Sequence, residues 1–328
     1  MKRLNNSTAA LLILMMSLTF FAACNKGKNA TMRDITATEL VADMGLGWNL
    51  GNTLDSLPTE TSWGNPKAPH ELIKAVKDAG FKTVRIPITW IDHTGDAPDY
   101  EIDKDWMDRV EEVVGYVLDN DMYAIINIHH DGGHGISGMW LTPNESDYEE
   151  GIARFTKIWE QISDRFKGYS DYLIFESMNE IHDNYRPPSQ ENNDVIAKFN
   201  QKFVDIVRSS GGNNAKRHLL VPGYNTNIEQ TIAGFIMPND EIADRIIVSV
   251  HFYDPWTFTA QGDNYTLEWG KSGQDVDSWG QEDWIDTIFG KLKDAYIDKG
   301  IPVIIGEYGA VVRAQEEHEK FRRYYMEY

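Results

Sequence analysis

Leu173-Ile174-Phe175-Glu176-Ser177-Met178-Asn179-Glu180 is a short, mainly apolar run that ends on an amide and a carboxylate. The same layout recurs along the chain. Short apolar runs at 45–50, 83–87, 123–128, 173–178, 218–221, 246–249 and 302–305 have the length and Val/Ile content of strands buried on both faces. Longer amphipathic stretches at 70–79, 106–120, 148–166, 194–209, 282–299 and 316–325 alternate with them and predict helices. Gly80, Gly211 and Gly300 stand just past three of these, where a left-handed cap is expected. The poorly periodic segment 228–243 is read as one further short helix.

Alternating strands and helices imply a parallel sheet. The spacing fits an open doubly wound sheet as well as most of an eight-stranded barrel. The residues at the strand ends decide between them. Asn49, Arg85, His129, Asn179, Glu180, His251 and Glu307 each stand at or just beyond the end of an apolar run. In a β/α barrel the C-terminal ends of all strands converge on one face, whereas an open sheet spreads them along a line. Convergence of so many polar groups favours the barrel. No repeat or low-complexity linker interrupts 35–328, which is read as one domain.

Composition excludes some functions. A net charge of −20 with no basic cluster leaves nothing to bind nucleic-acid phosphates and argues against an anionic substrate. Ten tryptophans suit a cleft that packs flat sugar faces, although most such rings are ordinary core. The chain's only cysteine is Cys24. It follows Lys2, Arg3, an apolar run from Ala9 to Ala23 and the tetrapeptide Phe21-Ala22-Ala23-Cys24. That is the layout of a secretory signal ending in a bacterial lipobox, with cleavage before Cys24 and a lipid on its thiol. The expected organisation is a signal peptide over 1–23, a polar tether over 24–34 and a catalytic barrel over 35–328. A mature domain without cysteine has no disulfides, so its stability comes from its core.

Glu180 and Glu307 follow the fourth and seventh strands, which face each other across a barrel. Paired carboxylates on one rim suit glycoside hydrolysis, in which one protonates the departing oxygen while the other attacks the anomeric carbon or activates water. His129, His130, Asp131 and His134 also suggest a metal cluster. However, adjacent histidines on extended chain point opposite ways, and no zinc spacing matches, so no metal is expected. Trp63, Trp90, Trp140 and Trp256 lie in or near loops that follow strands. Trp140 and Trp256, after the third and sixth strands, are taken as candidates for stacking sugars.

Gly47-Trp48-Asn49-Leu50-Gly51-Asn52-Thr53, Val84-Arg85-Ile86-Pro87, Asn127-Ile128-His129-His130, Met178-Asn179-Glu180, His251-Phe252-Tyr253 and Gly306-Glu307-Tyr308-Gly309 together resemble glycoside hydrolase family 5, in family order over about 40–325. Within it, the chain resembles the cellulase-type β-glucanases of subfamily 4. The resemblance implies a (β/α)8 TIM barrel and a retaining endo-β-1,4-glucanase acting on cellulose-like β-glucan as a monomer without a cofactor. It implies Glu180 as acid/base and Glu307 as nucleophile, with Arg85, His129, Asn179, His251 and Tyr253 in support and Asn49 beside the substrate. An Arg85 guanidinium would favour ionised Glu307, and a Tyr253 hydroxyl would bond the same carboxylate. Asn179 would meet the sugar 2-hydroxyl. Xyloglucan, lichenan or mannan are alternative substrates, and a surface glycan-binding lipoprotein with impaired catalysis is the alternative of another class.

The family pattern continues with an eighth strand, a tryptophan and an eighth helix, which have no counterpart before Tyr328. The expectation is therefore an incomplete barrel with unpaired edges at its first and seventh strands.

Overall fold

The computed structural model describes residues 27, 31–133, 137–260, 262 and 264–328. The expected signal peptide, Cys24 and His134 lie outside the described residues, as does most of the 24–34 tether.

Seven parallel strands form one sheet in chain order and curve into a nearly closed barrel. They are β1 (Gly47–Asn49), β2 (Thr83–Ile86), β3 (Tyr123–Ile126), β4 (Leu173–Glu176), β5 (Leu219–Asn227), β6 (Ile246–Phe252) and β7 (Val303–Tyr308). The helices among the described residues are α1 (Ala37–Met44), α2 (His70–Asp78), α3 (Lys104–Asp119), α4 (Tyr148–Phe166), α5 (Gln190–Ser209), α6 (Ile228–Gly234), α7 (Trp256–Thr259), α8 (Glu282–Ala295) and α9 (Glu316–Glu327).

Side-chain hydrogen bonds place several helix starts upstream of the hydrophobic periodicity. Asp103 accepts from the backbone N–H groups of Asp105 and Trp106, so α3 begins at Lys104 rather than Trp106. Ser189 and Asn192 form a reciprocal cap, so α5 begins at Gln190 rather than Asp194. At its other end α8 stops at Ala295 and passes through a tight turn to Gly300, whose φ of 80° needs no Cβ accommodation. Helix α1, absent from the sequence expectation, is started by a Thr36–Glu39 capping box.

Inward-facing side chains alternate along each strand and stack in layers. The lowest layer is apolar. Ile125, Ile174, Leu220 and Ile247 meet Ala37, Leu40 and Met44 of α1, which plugs the bottom of the barrel. One step up, the inward positions turn polar: Arg85, Asn127, Glu176 and Ser249 are all buried. Between the strands and the outer helices lies the main core, built around Trp90, Trp159, Phe155, Phe175, Phe199 and Phe203.

Two irregularities in the sheet place the upper layer. Pairing of β5 with β6 shifts between Pro222 and Asn227, which carries β5 out to the rim. Between β6 and β7, Val250 pairs with Ile305 but His251 pairs with Glu307, leaving Gly306 as an extra residue in a β-bulge. With the register unshifted, Gly306 and not Glu307 would face His251.

Candidate active site

The strand ends converge. Arg85, buried on β2, stands at the centre of the site. Its Nη1 donates to Glu307 Oε1 at 2.6 Å, its Nη2 to Asn179 Oδ1 at 2.8 Å and its Nε to Glu176 Oε2 at 2.7 Å. The Tyr253 hydroxyl donates to the other oxygen of Glu307 at 3.0 Å. Glu307 is therefore bonded at both oxygens to protein donors. Burial alone would raise its proton affinity, but the facing His251 and Arg85 outweigh that and hold it well below the usual carboxylate range. Burial and the adjoining Glu307 push the Tyr253 hydroxyl up, so it stays a donor.

Glu180 lies across from Glu307. Its Oε1 is 2.6 Å from His251 Nδ1, and the same nitrogen is 3.8 Å from Glu307 Oε2. The nearest ligating atoms of Glu180, His251 and Glu307 all lie within 4.8 Å of one another. Burial would lower the His251 pKa, but the two carboxylates more than reverse this and the net shift is upward. Glu180 has a side chain 31% exposed against 18% for Glu307, which leaves its outer face to the cleft. His129 is buried at the end of β3, with Nε2 3.9 Å from Glu307 Oε1. Burial, and then His130 beside it, keep His129 neutral.

The remaining candidates separate. Asn179 gives its Oδ1 to Arg85, which leaves its Nδ2 to donate toward a ligand. Asn49 is engaged at both ends of its amide, donating to the Gly306 carbonyl at 2.9 Å and accepting from Arg85 Nη1 at 3.2 Å. Trp256, 64% exposed, lines a cavity of about 470 Å³ together with Glu180, Tyr185, His251 and Tyr253. Trp140 lies apart from that cavity. Its indole donates to Asp131 and its ring is covered by the Arg154 guanidinium 5.0 Å from the centroid. Trp90 is fully buried and bonds the Asn127 carbonyl, whereas Trp63 is exposed beside the His130 ring.

The two adjacent histidines meet, contrary to the sequence expectation. Their ring centroids are 4.4 Å apart at 76°, because β3 ends at Ile126 and strand alternation no longer governs residues 129 and 130. With Asp55 they form a group of potential ligand atoms within 4.8 Å of one another. Both Asp55 oxygens already accept backbone N–H groups, from Asn52 and Thr53.

Sequence reasoning missed two residues of the site. Glu176 interrupts an apolar strand, and a charge inside a buried run was the available signal. Tyr185 is 66% exposed, stacked on His182 with ring centroids 3.8 Å apart, and it sits in a left-handed pair with Asn184. Its loop has no periodicity from which to predict it.

A second cavity of about 750 Å³ adjoins Glu307, and Asn49, Asp55, His129 and His130 line part of it. The family model for cellulase, glycosyl hydrolase family 5, matches residues 50–328. Endoglucanase A of Paenibacillus barcinonensis is 42% identical over 324 residues, covering 93% of this chain and 81% of that protein. A GH5-4 broad specificity endoglucanase from Bacteroides salanitronis superposes with a TM-score of 0.85 at 43% identity, over 92% of this chain and 82% of its own. A family 5 xyloglucanase from Paenibacillus pabuli does so with a TM-score of 0.85 at 40% identity, over 87% of this chain and 85% of its own. The match spans the strand-end residues from Leu50 onward, and on it the chain belongs to glycosyl hydrolase family 5 and is a glycoside hydrolase.

Proposed function

We propose that the chain is a retaining endo-β-1,4-glucanase acting on cellulose-like β-glucans. The observation that carries this reading is the approach of Glu180 and Glu307 to within 4.8 Å around His251. Retaining enzymes hold their carboxyl groups about 5–5.5 Å apart, whereas inverting ones need about 6.5–9.5 Å to admit a water. In the first step ionised Glu307 attacks the anomeric carbon and forms a glycosyl ester. Glu180 gives its proton to the departing glycosidic oxygen as that bond breaks. In the second step Glu180 takes a proton from water, the water oxygen attacks the same carbon, and the ester bond to Glu307 breaks. Asn179 Nδ2 donates to the sugar 2-hydroxyl. The departing half of the chain occupies the cavity beside Trp256 and Tyr185, because the acid stands on that side.

The test is sugar release from carboxymethylcellulose, barley glucan, xyloglucan and glucomannan, with NMR of the first anomer formed. The expected result is release of β-anomer from at least the first two. Glu307→Gln and Glu180→Gln should each lose about a thousandfold or more in kcat, as expected for loss of a nucleophile or its proton donor. An α-anomer product would overturn the retaining assignment. Binding without hydrolysis by the wild type would favour the glycan-binding reading, and preference for xyloglucan or mannan would move the substrate assignment.

We propose further that Cys24 carries a lipid holding the enzyme to the bacterial cell envelope, a reading supported by the Phe21-Ala22-Ala23-Cys24 tetrapeptide after its apolar run. Cys24→Ser should move the protein from the detergent phase to the aqueous phase of a Triton X-114 extract of expressing cells. Unchanged partition would remove the lipid from the proposal.

A further inference from the structure

Below the two glutamates of the cleft, the barrel interior holds a third carboxylate that lies out of reach of any sugar. Glu176 is fully buried on β4. Its Oε2 accepts from Arg85 Nε at 2.7 Å and from Asn127 Nδ2 at 2.9 Å, and its Oε1 accepts from Ser249 Oγ at 2.8 Å. One side chain thus ties β4 to β2, β3 and β6. The guanidinium that Glu176 holds by Nε and Nη2, both 2.7 Å from its Oε2, reaches up with Nη1 to Glu307 and with Nη2 also to Asn179. A buried carboxylate is costly to desolvate, and a neutral amide of the same shape has an oxygen for Arg85 and Asn127 and an NH2 for a rotated Ser249 hydroxyl. What glutamate adds at this position is its charge.

We infer that Glu176 is a positioning residue that aims Arg85 at the nucleophile and, by offsetting its positive charge from below, sets the pH range over which the two catalytic glutamates work. The inference rests on the two-glutamate reading above. With Glu176 ionised, the guanidinium is shared between two anions, and Glu307 keeps the basicity an attacking carboxylate needs. Without that charge the guanidinium acts on Glu307 undivided. The charged and titratable groups gathered above Glu176 are Arg85 from β2, His129 beyond β3, Glu180 beyond β4, His251 and Tyr253 on and beyond β6, and Glu307 on β7. Ser249 and His251 are two residues apart on β6, so Glu176, bonded to Ser249, lies one layer beneath His251. Removing a negative charge from under this group lowers the proton affinity of every member.

The test compares Glu176→Gln and Glu176→Asp with the wild type by pH profile of kcat/KM and by NMR titration of the His251 imidazole. For Glu176→Gln both limbs of the profile and the His251 midpoint should move to lower pH by about half a unit or more. For Glu176→Asp, which keeps the charge but shortens the reach to Arg85, the limbs should stay in place while kcat falls. Unmoved limbs and an unmoved His251 midpoint in a folded Glu176→Gln protein would overturn the proposal. So would a Glu176→Gln protein that fails to fold beside a folded Glu176→Asp, since Glu176 would then be only a structural ion-pair partner. The imidazole titration needs no turnover. Should the wild type hydrolyse no glucan, the functional reading fails while the His251 midpoint still decides the role of Glu176.

Discussion

The state of Glu307 depends on particular donors. Two neighbours bond its oxygens, Arg85 at 2.6 Å and Tyr253 at 3.0 Å, and His251 stands 3.8 Å away. His251 and Arg85 favour the ionised form against the desolvation that opposes it, and a hydrogen bond donated to a carboxylate, as Tyr253 donates, acts in the same direction. Tyr253→Phe removes one donor and no charge. A hydrogen bond to a charged group contributes about 1.5–3 kcal/mol, so the carboxylate becomes easier to protonate and rises toward its ordinary range. The proposed mechanism needs Glu307 ionised, so on it the acid limb of the pH–rate profile should move upward in pH. At the optimum kcat should fall by about tenfold or more, because the donor also steadies the carboxylate during attack. A pH–rate profile on a soluble glucan measures both. An acid limb unmoved or shifted downward would show that the Tyr253 contact does not govern the charge of Glu307.

At the scale of the elements, the β6–β7 bulge is what brings His251 and Glu307 opposite each other. Gly306 is the extra residue, and a Cβ added there would lie 3.0 Å from His251 Nε2 and 3.3 Å from Ser249 Oγ. Gly306→Ala should therefore press the imidazole away by a few tenths of an ångström and loosen its contact with Glu180. A misplacement of about 1 Å can cost on the order of a hundredfold in rate, so the expected signature of this smaller shift is a loss of about severalfold in kcat with little change in KM. Equal kcat in the two proteins would mean that His251 yields without consequence. This is also where the legibility of the sequence ends. Apolar runs closing on Arg85, His129, Asn179, Glu180, His251 and Glu307 are readable because buried parallel strands must be continuous and their ends must emerge at one rim. The bulge is a property of two strands in register, and neither strand alone encodes it. Helix α1 was readable in principle from Thr36-Ala37-Thr38-Glu39, a capping box, but eight residues carry little periodicity. Trp140 and Trp256 look alike in sequence, and only packing tells that Arg154 covers one ring while the other stands open.

At the scale of the whole molecule, the described sheet runs from β1 to β7 without pairing between those two strands. Among the described residues, a side chain links the two strands. Asn49 Nδ2 on β1 donates to the Gly306 carbonyl on β7 at 2.9 Å, joining residues 257 positions apart, while its Oδ1 receives Arg85. The rest of the seam borders the larger cavity, with Val303, Ile304 and Ile305 on one side and Trp48 on the other. Both edge strands are only partly covered, unlike the fully buried β2, β3 and β4. Asn49→Ala breaks the bridge, and two hydrogen bonds of ordinary strength correspond to about 1–3 kcal/mol of stability. The same change leaves one N–H of Arg85 Nη1, the nitrogen that also donates to Glu307, without its Asn49 acceptor, so activity should fall along with stability. Asn49→Asp separates the two effects. It keeps an acceptor for Arg85 but loses the donor to Gly306, so it should recover less of the stability than of the alignment around Glu307. Urea denaturation followed by tryptophan fluorescence, run beside kcat/KM for both variants, measures the two quantities independently. If both variants unfold at the wild-type midpoint, the seam is held by the bulk of the barrel and not by this amide.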